Sequence, residues 1–210
     1  MYSAIILCAG KGTRTGLEYN KMLYKFKDKT IYEMTLDIFL KDERCHQVIV
    51  VTSLEEKDVF QKLTQKPQVE FVVGGKERQD SVYAGLQKVK CEYVLIHDGA
   101  RPYVKKENID ALLECLKTHE ACLLMVPCKD TIKRVMNGKI VETLSRSELM
   151  QAQTPQAFKK DVIYEAYRKG IEESFQATDD AQMVEHFTDT EVYAVMGDYE
   201  NKKITTPEDL

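Results

Sequence analysis

The sequence has little of what marks fibrous, low-complexity or membrane-spanning chains. Glycine and proline supply only 10 and 5 of its 210 residues, which excludes a collagen or a disordered low-complexity chain. The longest apolar runs, such as Ala121 to Val126, are far shorter than the roughly 20 residues of a bilayer span. Met1 leads directly into a strand-like run rather than into a signal peptide. We therefore expect one compact domain over residues 1–210, in the cytoplasm and without a membrane partner.

The sequence also lacks clusters of like charge and of closely spaced cysteines. Thirty Lys and Arg stand against 34 Asp and Glu, and no run of five like charges occurs. Because nucleic-acid proteins are normally basic, we expect no nucleic-acid partner, and any phosphate site must use a few convergent Lys and Arg. The six cysteines form no Cys-x-x-Cys pair and no zinc-ligand spacing with the four histidines, so free thiols in a reducing compartment are favoured.

Short β-branched runs alternate with amphipathic stretches through the first half of the chain. The predicted strands are Ala4 to Cys8, Gln47 to Thr52, Glu70 to Val73, Tyr93 to His97 and Cys122 to Val126. The predicted helices are Thr30 to Lys41, Leu54 to Thr64, Gln79 to Val89 and Asn108 to Lys117. This order predicts an α/β fold with a mostly parallel, Rossmann-like sheet and helices on both faces. Ligands of such sheets bind beyond the carboxyl ends of the strands.

The alternation changes after Pro127. Polar and apolar residues alternate from Lys129 to Leu144 around Asn137-Gly138, a strong hairpin signal, so we predict a projecting β-hairpin arm at about residues 129–146. Its apolar positions need cover, which suggests packing on a partner. Beyond the arm we predict a loop at Gln153 to Gln156, helices at Asp161 to Glu173 and Thr178 to Phe187, and strands at Val192 to Met196 and Lys203 to Thr205.

A glycine-rich loop follows the first strand, from Ala9 to Gly16. Backbone N–H groups of such a turn can bind phosphates, and Arg14 and Lys21 would add positive charge, although an ordinary glycine turn with solvated bases remains the alternative. The loop lacks the spacing of a Walker A motif, and it has one residue too many before Gly16 for a dinucleotide fingerprint. ATP hydrolysis and hydride transfer are therefore disfavoured.

Two further loops lie where the topology predicts a site. Gly74-Gly75 and Ser81 follow the third strand, where paired glycines would let a flat base approach the backbone and Ser81 could bond its edge. The alternative is an ordinary turn with Ser81 in the first turns of a helix. Asp98 ends the fourth strand, where a carboxylate can bind a hard cation such as magnesium, or else cap a turn. His97 is expected to be packed rather than catalytic.

Together these motifs resemble those of the sugar-nucleotide cytidylyltransferases, and specifically the 2-C-methyl-D-erythritol 4-phosphate cytidylyltransferase family of the non-mevalonate isoprenoid pathway. The resemblance covers nearly the whole chain. It rests on A-G-K-G-T-R with Asn20-Lys21, G-G-K-E-R-Q-D-S-V, H-D-G-A-R-P, D-T-I-K-R, Q-T-P-Q-A-F, T-D-D-A and N-K-K-I-T-T-P-E-D-L, in the order of the family.

The resemblance implies transfer of CMP from CTP to a polyol phosphate, 2-C-methyl-D-erythritol 4-phosphate, with Mg²⁺ as the cofactor bound by Asp98. It implies a homodimer formed through the arm, whose residues serve the site of the partner subunit. The catalytic positions that it implies are Arg14, Lys21, Arg146 and Lys203. Those implied to bind CTP are Ala9, Gly10, Gly12, Gly75, Ser81 and Gly99, and those implied to bind the sugar phosphate are Arg101, Thr131, Arg146 and Lys203.

The sequence departs from the family pattern at a few positions. Asn20 replaces the usual proline before Lys21, which we expect to loosen that loop, and Lys76 stands where an acid is often found. Either Asp198 or Glu200 represents the acid near the last motif. The segment Thr178-Asp179-Asp180 is interpreted only as a helix cap.

Three alternatives remain open. The nearest is ribitol-5-phosphate cytidylyltransferase, which has the same fold and chemistry. A nicotinamide-dependent oxidoreductase is disfavoured by the glycine spacing. A catalytically silent nucleotide-binding or dimerisation module is disfavoured because Arg14, Lys21 and Lys203 are all present.

Overall fold

The computed structural model describes residues 1–10 and 16–209. The strands in chain order are β1 (Tyr2–Leu7), β2 (Lys25–Phe26), β3 (Lys29–Thr30), β4 (Cys45–Thr52), β5 (Val69–Val73), β6 (Tyr93–Asp98), β7 (Ala121–Pro127), β8 (Lys133–Met136), β9 (Lys139–Thr143), β10 (Met150–Lys159) and β11 (Val192–Met196).

The helices are α1 (Ile31–Leu40), α2 (Lys57–Leu63), α3 (Arg78–Leu86), α4 (Lys106–Cys115), α5 (Lys160–Glu172) and α6 (Asp180–Phe187), with single 3₁₀ turns at Lys21–Leu23, Arg146–Glu148 and Pro207–Asp209. The predicted helices are confirmed, with ends shifted by a few residues. Thr30 begins α1 with a capping box, since its hydroxyl accepts from the backbone N–H of Glu33 and the Glu33 carboxylate accepts from the N–H of Thr30. In the described part of the chain, no helix is both long and apolar enough to cross a bilayer.

The central sheet has the strand order β11-β7-β10-β6-β1-β4-β5. All its pairs are parallel except those of β10, which runs antiparallel to both β6 and β7. This confirms a mostly parallel sheet.

Two sequence predictions are wrong in this region. The segment Gln153 to Gln156, predicted as a loop, lies inside β10, and Lys203 to Thr205, predicted as a strand, is irregular. β10 lacks the alternating apolar pattern of a strand for two reasons. Its register breaks between Ala152 and Gln156, around Pro155, and its buried side chains there are polar.

Alternate residues of the strands are buried in two layers, one on each face of the sheet. Ala4 and Ile6 of β1 pack in a cluster with residues of α1, α2 and α4. Ile5, between them, packs in a second cluster with residues of α3, α5 and α6. The period of two along a strand therefore gives each helical layer its own core, and helices on both faces are confirmed.

The predicted arm is a separate two-stranded sheet made of β8 and β9. Asn137 and Gly138 have φ values of 47° and 76°, the left-handed pair that a tight hairpin turn requires. Every residue of both strands is exposed, including Val135 and Ile140. The arm leaves its apolar residues uncovered within this chain.

Candidate active site

A cavity of about 290 Å³ lies beyond the carboxyl ends of β1, β5 and β6. Its wall brings together eight of the residues predicted to form the site: Ala9, Gly10, Lys21, Gly75, Ser81, Asp98, Gly99 and Lys203. Gly12 and Arg14, also predicted, lie outside the described residues.

Two glycines of the wall are required by close packing. A Cβ on Gly75 would lie 2.2 Å from the Cβ of Asp80. A Cβ on Gly99 would lie 2.8 Å from the carbonyl oxygen of Leu7. Both turns can therefore close over the strand ends only when these positions lack a side chain.

Asp98 is the anionic centre of the cavity. Its Oδ2 accepts a hydrogen bond from Lys203 Nζ at 2.7 Å, Arg78 Nε lies 3.5 Å from its Oδ1, and Arg101 Nε lies 3.9 Å from its Oδ2. Burial opposes ionisation of this carboxyl, but the charges of Lys203 and Arg78 outweigh burial and hold its pKa well below the ordinary value. Asp98 is therefore a carboxylate at neutral pH.

The segment after β11 carries Lys203 and binds Lys21, which together with Lys76 are the three described lysines that line the cavity. Lys21 Nζ donates to the carbonyl oxygen of Ile204 at 2.7 Å, and the N–H of Ile204 donates to Ala100 O at 2.9 Å. Asn201, fully buried, donates to Thr154 O at 2.8 Å. These bonds fix the irregular segment against the β6 turn, so Lys203 reaches Asp98 without a strand to hold it.

Asn20 is buried and fixes the loop that precedes Lys21. Its Nδ2 donates to Cys8 O at 3.0 Å and to Glu56 Oε2 at 2.8 Å, and its Oδ1 accepts from the N–H of Met22 at 3.0 Å. The expectation that Asn20 loosens this loop is therefore wrong, because its three hydrogen bonds restrain the backbone on both sides of Lys21.

Arg78 is a residue of the cavity wall that the sequence analysis missed. Its two Nη atoms donate to the two oxygens of Asp180 at 2.8 and 2.7 Å, and the hydroxyl of Tyr167 donates to Asp180 Oδ1 at 2.5 Å. Burial lowers the pKa of Arg78, but Asp180 and Asp98 outweigh it and raise that pKa above its ordinary value, so the guanidinium is charged.

This arrangement also corrects the interpretation of Thr178 to Asp180. Only Asp179 caps α6, with its Oδ1 accepting from the N–H of Gln182 at 3.0 Å. Asp180 is fully buried in the ion pair with Arg78. An arginine in G-G-K-E-R and a second aspartate after the cap were the available signals.

His97 is packed, as predicted. The N–H of Asp98 donates to Thr154 Oγ1, which in turn donates to His97 Nδ1, both at 3.0 Å. His97 Nε2 then donates to Arg101 O at 3.0 Å. Burial lowers the pKa of His97 to about 4, so the ring is neutral and orients the β6 turn.

Arg101 lies behind the wall rather than in it. Its Nη1 donates to Asn201 O at 2.7 Å, and burial lowers its pKa. Thr131 and Arg146 are not brought to this cavity. Both are exposed at the base of the arm, where Arg146 Nη1 donates to Lys129 O at 2.8 Å.

The acids predicted near the last motif are engaged by one lysine. Lys105 Nζ lies 2.6 Å from both Asp198 Oδ2 and Glu200 Oε2. Among residues 1–10 and 16–209, no three His, Cys, Asp or Glu side chains come together in a way that could hold a metal ion. Asp98 is then the carboxylate that faces the cavity from a strand end.

The chain is similar to proteins of one family along its whole length. The sequence profile of 2-C-methyl-D-erythritol 4-phosphate cytidylyltransferase matches residues 2–210. The proteins of that name from Bacillus cytotoxicus and Clostridioides difficile are 45% and 41% identical to it, over 100% of this chain and 95% and 91% of theirs.

Solved structures agree with the sequence comparison. The 4-diphosphocytidyl-2C-methyl-D-erythritol synthase of Anaerococcus prevotii is 32% identical and superposes with a TM-score of 0.88, covering 99% of this chain and 93% of that one. The 2-C-methyl-D-erythritol 4-phosphate cytidylyltransferase of Thermus thermophilus is 27% identical, with a TM-score of 0.81 over 99% and 94%.

Proposed function

The chain belongs to the 2-C-methyl-D-erythritol 4-phosphate cytidylyltransferase family, and from this premise we propose how its residues carry out the reaction. It transfers CMP from CTP to 2-C-methyl-D-erythritol 4-phosphate and releases pyrophosphate. The match along residues 2–210 carries this conclusion. Transfer to ribitol 5-phosphate is not favoured, because the matching relatives are named for the methylerythritol acceptor.

The reaction needs positioned positive charge more than it needs a proton donor. An oxygen of the acceptor phosphate attacks the α-phosphorus of CTP in line with the departing pyrophosphate, while negative charge spreads over the oxygens. Lys21 and Lys203 supply cations on the cavity wall. We assign Lys21, together with Arg14, to the α-phosphate in the transition state, and Lys203 to the attacking phosphate.

The nucleotide is assigned to the β1, β5 and β6 side of the cavity. Ala9 and Gly10, together with Gly12, would place backbone groups against the triphosphate, and Gly99 leaves room beside Asp98. The exposed backbone at Gly75 and the hydroxyl of Ser81 would recognise the cytosine edge. Ser81 Oγ donates a long hydrogen bond of 3.3 Å to Glu77 O, which can break when the hydroxyl rotates toward a ligand.

Asp98 fits a magnesium ion of the kind that nucleotides carry. It is ionised, it lies in the cavity wall, and among residues 1–10 and 16–209 the ion-pair contact of its Oδ1 is the 3.5 Å approach of Arg78 Nε. One carboxylate is enough where substrate phosphates and water complete the coordination. Magnesium, when bound, neutralises negative charge on the phosphates.

The acceptor side is assigned to two subunits. Lys203, in the cavity wall, and Arg101, behind that wall, come from the same chain as the cavity, whereas Thr131 and Arg146 lie on the exposed arm. We propose a homodimer in which each arm covers its apolar residues on the partner and brings Thr131 and Arg146 to the partner's acceptor site.

We place the enzyme in the cytoplasm. Its six cysteines are all free thiols, which suits a reducing compartment.

Transfer of CMP to each polyol phosphate, followed as pyrophosphate release with CTP or UTP, tests the assignment. We expect turnover with CTP and 2-C-methyl-D-erythritol 4-phosphate, and little with ribitol 5-phosphate. UTP lacks the exocyclic amino donor, so the cytosine site should reject it strongly. Equal turnover with CTP and UTP would refute the assigned base site.

A further inference from the structure

The buried ion pair of Arg78 and Asp180 is not explained by stability alone. Asp180 has no exposed surface, and its carboxylate accepts from both Nη atoms of Arg78 and from Tyr167. Removing a carboxylate from water is costly, and apolar side chains of similar volume commonly stabilise a fold as well or better. Arg78, moreover, is part of the cavity wall and keeps 33% of its side chain exposed.

Arg78 lies between two carboxylates but is hydrogen-bonded to one of them. Both short contacts go to Asp180, whereas Arg78 Nε stays 3.5 Å from Asp98 Oδ1. The forked pairing with Asp180 fixes the plane of the guanidinium, because two parallel hydrogen bonds leave it no freedom to turn. The guanidinium has five N–H donors, so some remain after this pairing.

We propose that Asp180 is a positioning residue for the nucleotide site, which holds the Arg78 guanidinium in the cavity wall and away from Asp98 so that Arg78 can meet the phosphates of CTP. Without the Asp180 carboxylate, the nearest anion to Arg78 is Asp98. Arg78 would then form its forked pair there, which would remove a cation from the wall and engage Asp98 Oδ1. The inference rests on the proposed placement of CTP in this cavity.

The test is CTP binding by calorimetry in EDTA, with the full-length chain and its Asp180→Asn, Arg78→Gln and double variants. Asp180→Asn should weaken CTP binding about tenfold or more, the size of a charged hydrogen bond. In the Arg78→Gln background the same change should alter binding by less than about twofold, because Asp180 acts through Arg78. Asp179→Asn is the matched control, since asparagine caps a helix equally well.

Steady-state kinetics add a readout that a purely structural role would not move. The folded Asp180→Asn enzyme should show a raised KM for CTP with a smaller change in kcat at saturating CTP. Wild-type CTP affinity in Asp180→Asn, or an equal effect of that change with and without Arg78, would overturn the inference.

Arg78→Lys decides the matter if Asp180→Asn does not fold. Lysine keeps the charge but cannot form the forked pair, so CTP binding should again fall about tenfold. A folded Arg78→Lys chain with wild-type affinity would contradict the inference. If the wild type and Asp179→Asn both failed to bind CTP, the placement of CTP itself would be wrong, and the inference with it.

Discussion

Asp98→Asn tests the charge arrangement of the cavity most directly, because it keeps the shape of the side chain and removes its charge. In the described part of the chain three cations surround the carboxylate, and the shortest contact is the 2.7 Å hydrogen bond from Lys203 Nζ. At that separation and an effective dielectric constant of about 20, the attraction is about 6 kcal/mol. Desolvation of Asp98 offsets roughly half of it, and the exposure of Lys203 screens the pair.

We therefore expect the free energy of unfolding to fall by about 3 kcal/mol, which lowers Tm by about 9 °C. Because the pKa of Asp98 is lowered on folding from the ordinary value of 3.8, its contribution is present above that pH and is lost as pH falls through the folded pKa. The difference between the wild type and the variant should thus be full at neutral pH and shrink in strong acid. Thermal unfolding at several pH values measures it.

Turnover should fall at least about 100-fold in the folded variant, and its magnesium titration should shift to higher concentration. The matched control is Asp110→Asn, an exposed carboxylate paired with Arg44 and Lys106. For Asp110→Asn we expect the free energy of unfolding to fall by less than about 1 kcal/mol and turnover to stay unchanged. An Asp98→Asn enzyme with half the wild-type turnover and the same magnesium titration would refute our account of Asp98.

The remaining predictions concern Lys21, the arm and the turn after β5. Lys21→Ala should lower kcat more than it raises the KM for CTP if, as we propose, its charge acts on the transition state; a rise in KM alone would make Lys21 a binding residue. A mixture of Lys21→Ala and Arg146→Ala chains should regain activity, because random pairing makes about a quarter of all sites intact in a two-fold dimer. No recovery despite subunit exchange would show that Arg146 serves its own subunit. Gly75→Ala should weaken CTP binding and cost about 1–3 kcal/mol, because the added Cβ would lie 2.2 Å from that of Asp80; an unchanged Tm and affinity would contradict this packing.

The sequence predicts the edge of the sheet where the site lies, because the strand ends there carry their own signals. Glycines after β1 and β5, Asp98 at the tip of β6 and the alternation of strand and helix are all local patterns. The hairpin is equally clear from the sequence, because Asn-Gly between alternating polar and apolar residues is a strong signal of a tight hairpin turn. These features depend on a few neighbouring residues, which a single sequence can show.

Long-range partners are what the sequence could not show. Arg78 and Asp180 are 102 residues apart, so the sequence shows an arginine in one motif and a second aspartate after a helix cap but not that the two side chains pair. β10 was missed for a related reason, since its polar residues have distant partners. The side-chain amide of Gln156 accepts from the N–H of Ala181 and donates to the Asp179 carboxylate, and that of Gln153 donates to Asp198 O. Polar side chains that are typical of a loop are therefore buried here by hydrogen bonds to distant segments.

β10 lies between β6 and β7 in the sheet but follows both of them in the chain, so the sheet beside Asp98 is completed late in synthesis. Asp98 and Lys203 are 105 residues apart in the chain. Thr154, whose hydroxyl accepts from the N–H of Asp98, is made between the two. At about 5–20 residues per second, a ribosome needs roughly 5–20 s to pass from one to the other. For roughly the first half of that interval, until residues 150–159 are made, β6 lacks its neighbour β10, and such non-local pairing folds slowly and leaves an open edge. The nascent chain therefore carries the loops after β1, β5 and β6 well before Lys203 completes the cavity, and the β6 edge stays open until residues 150–159 emerge.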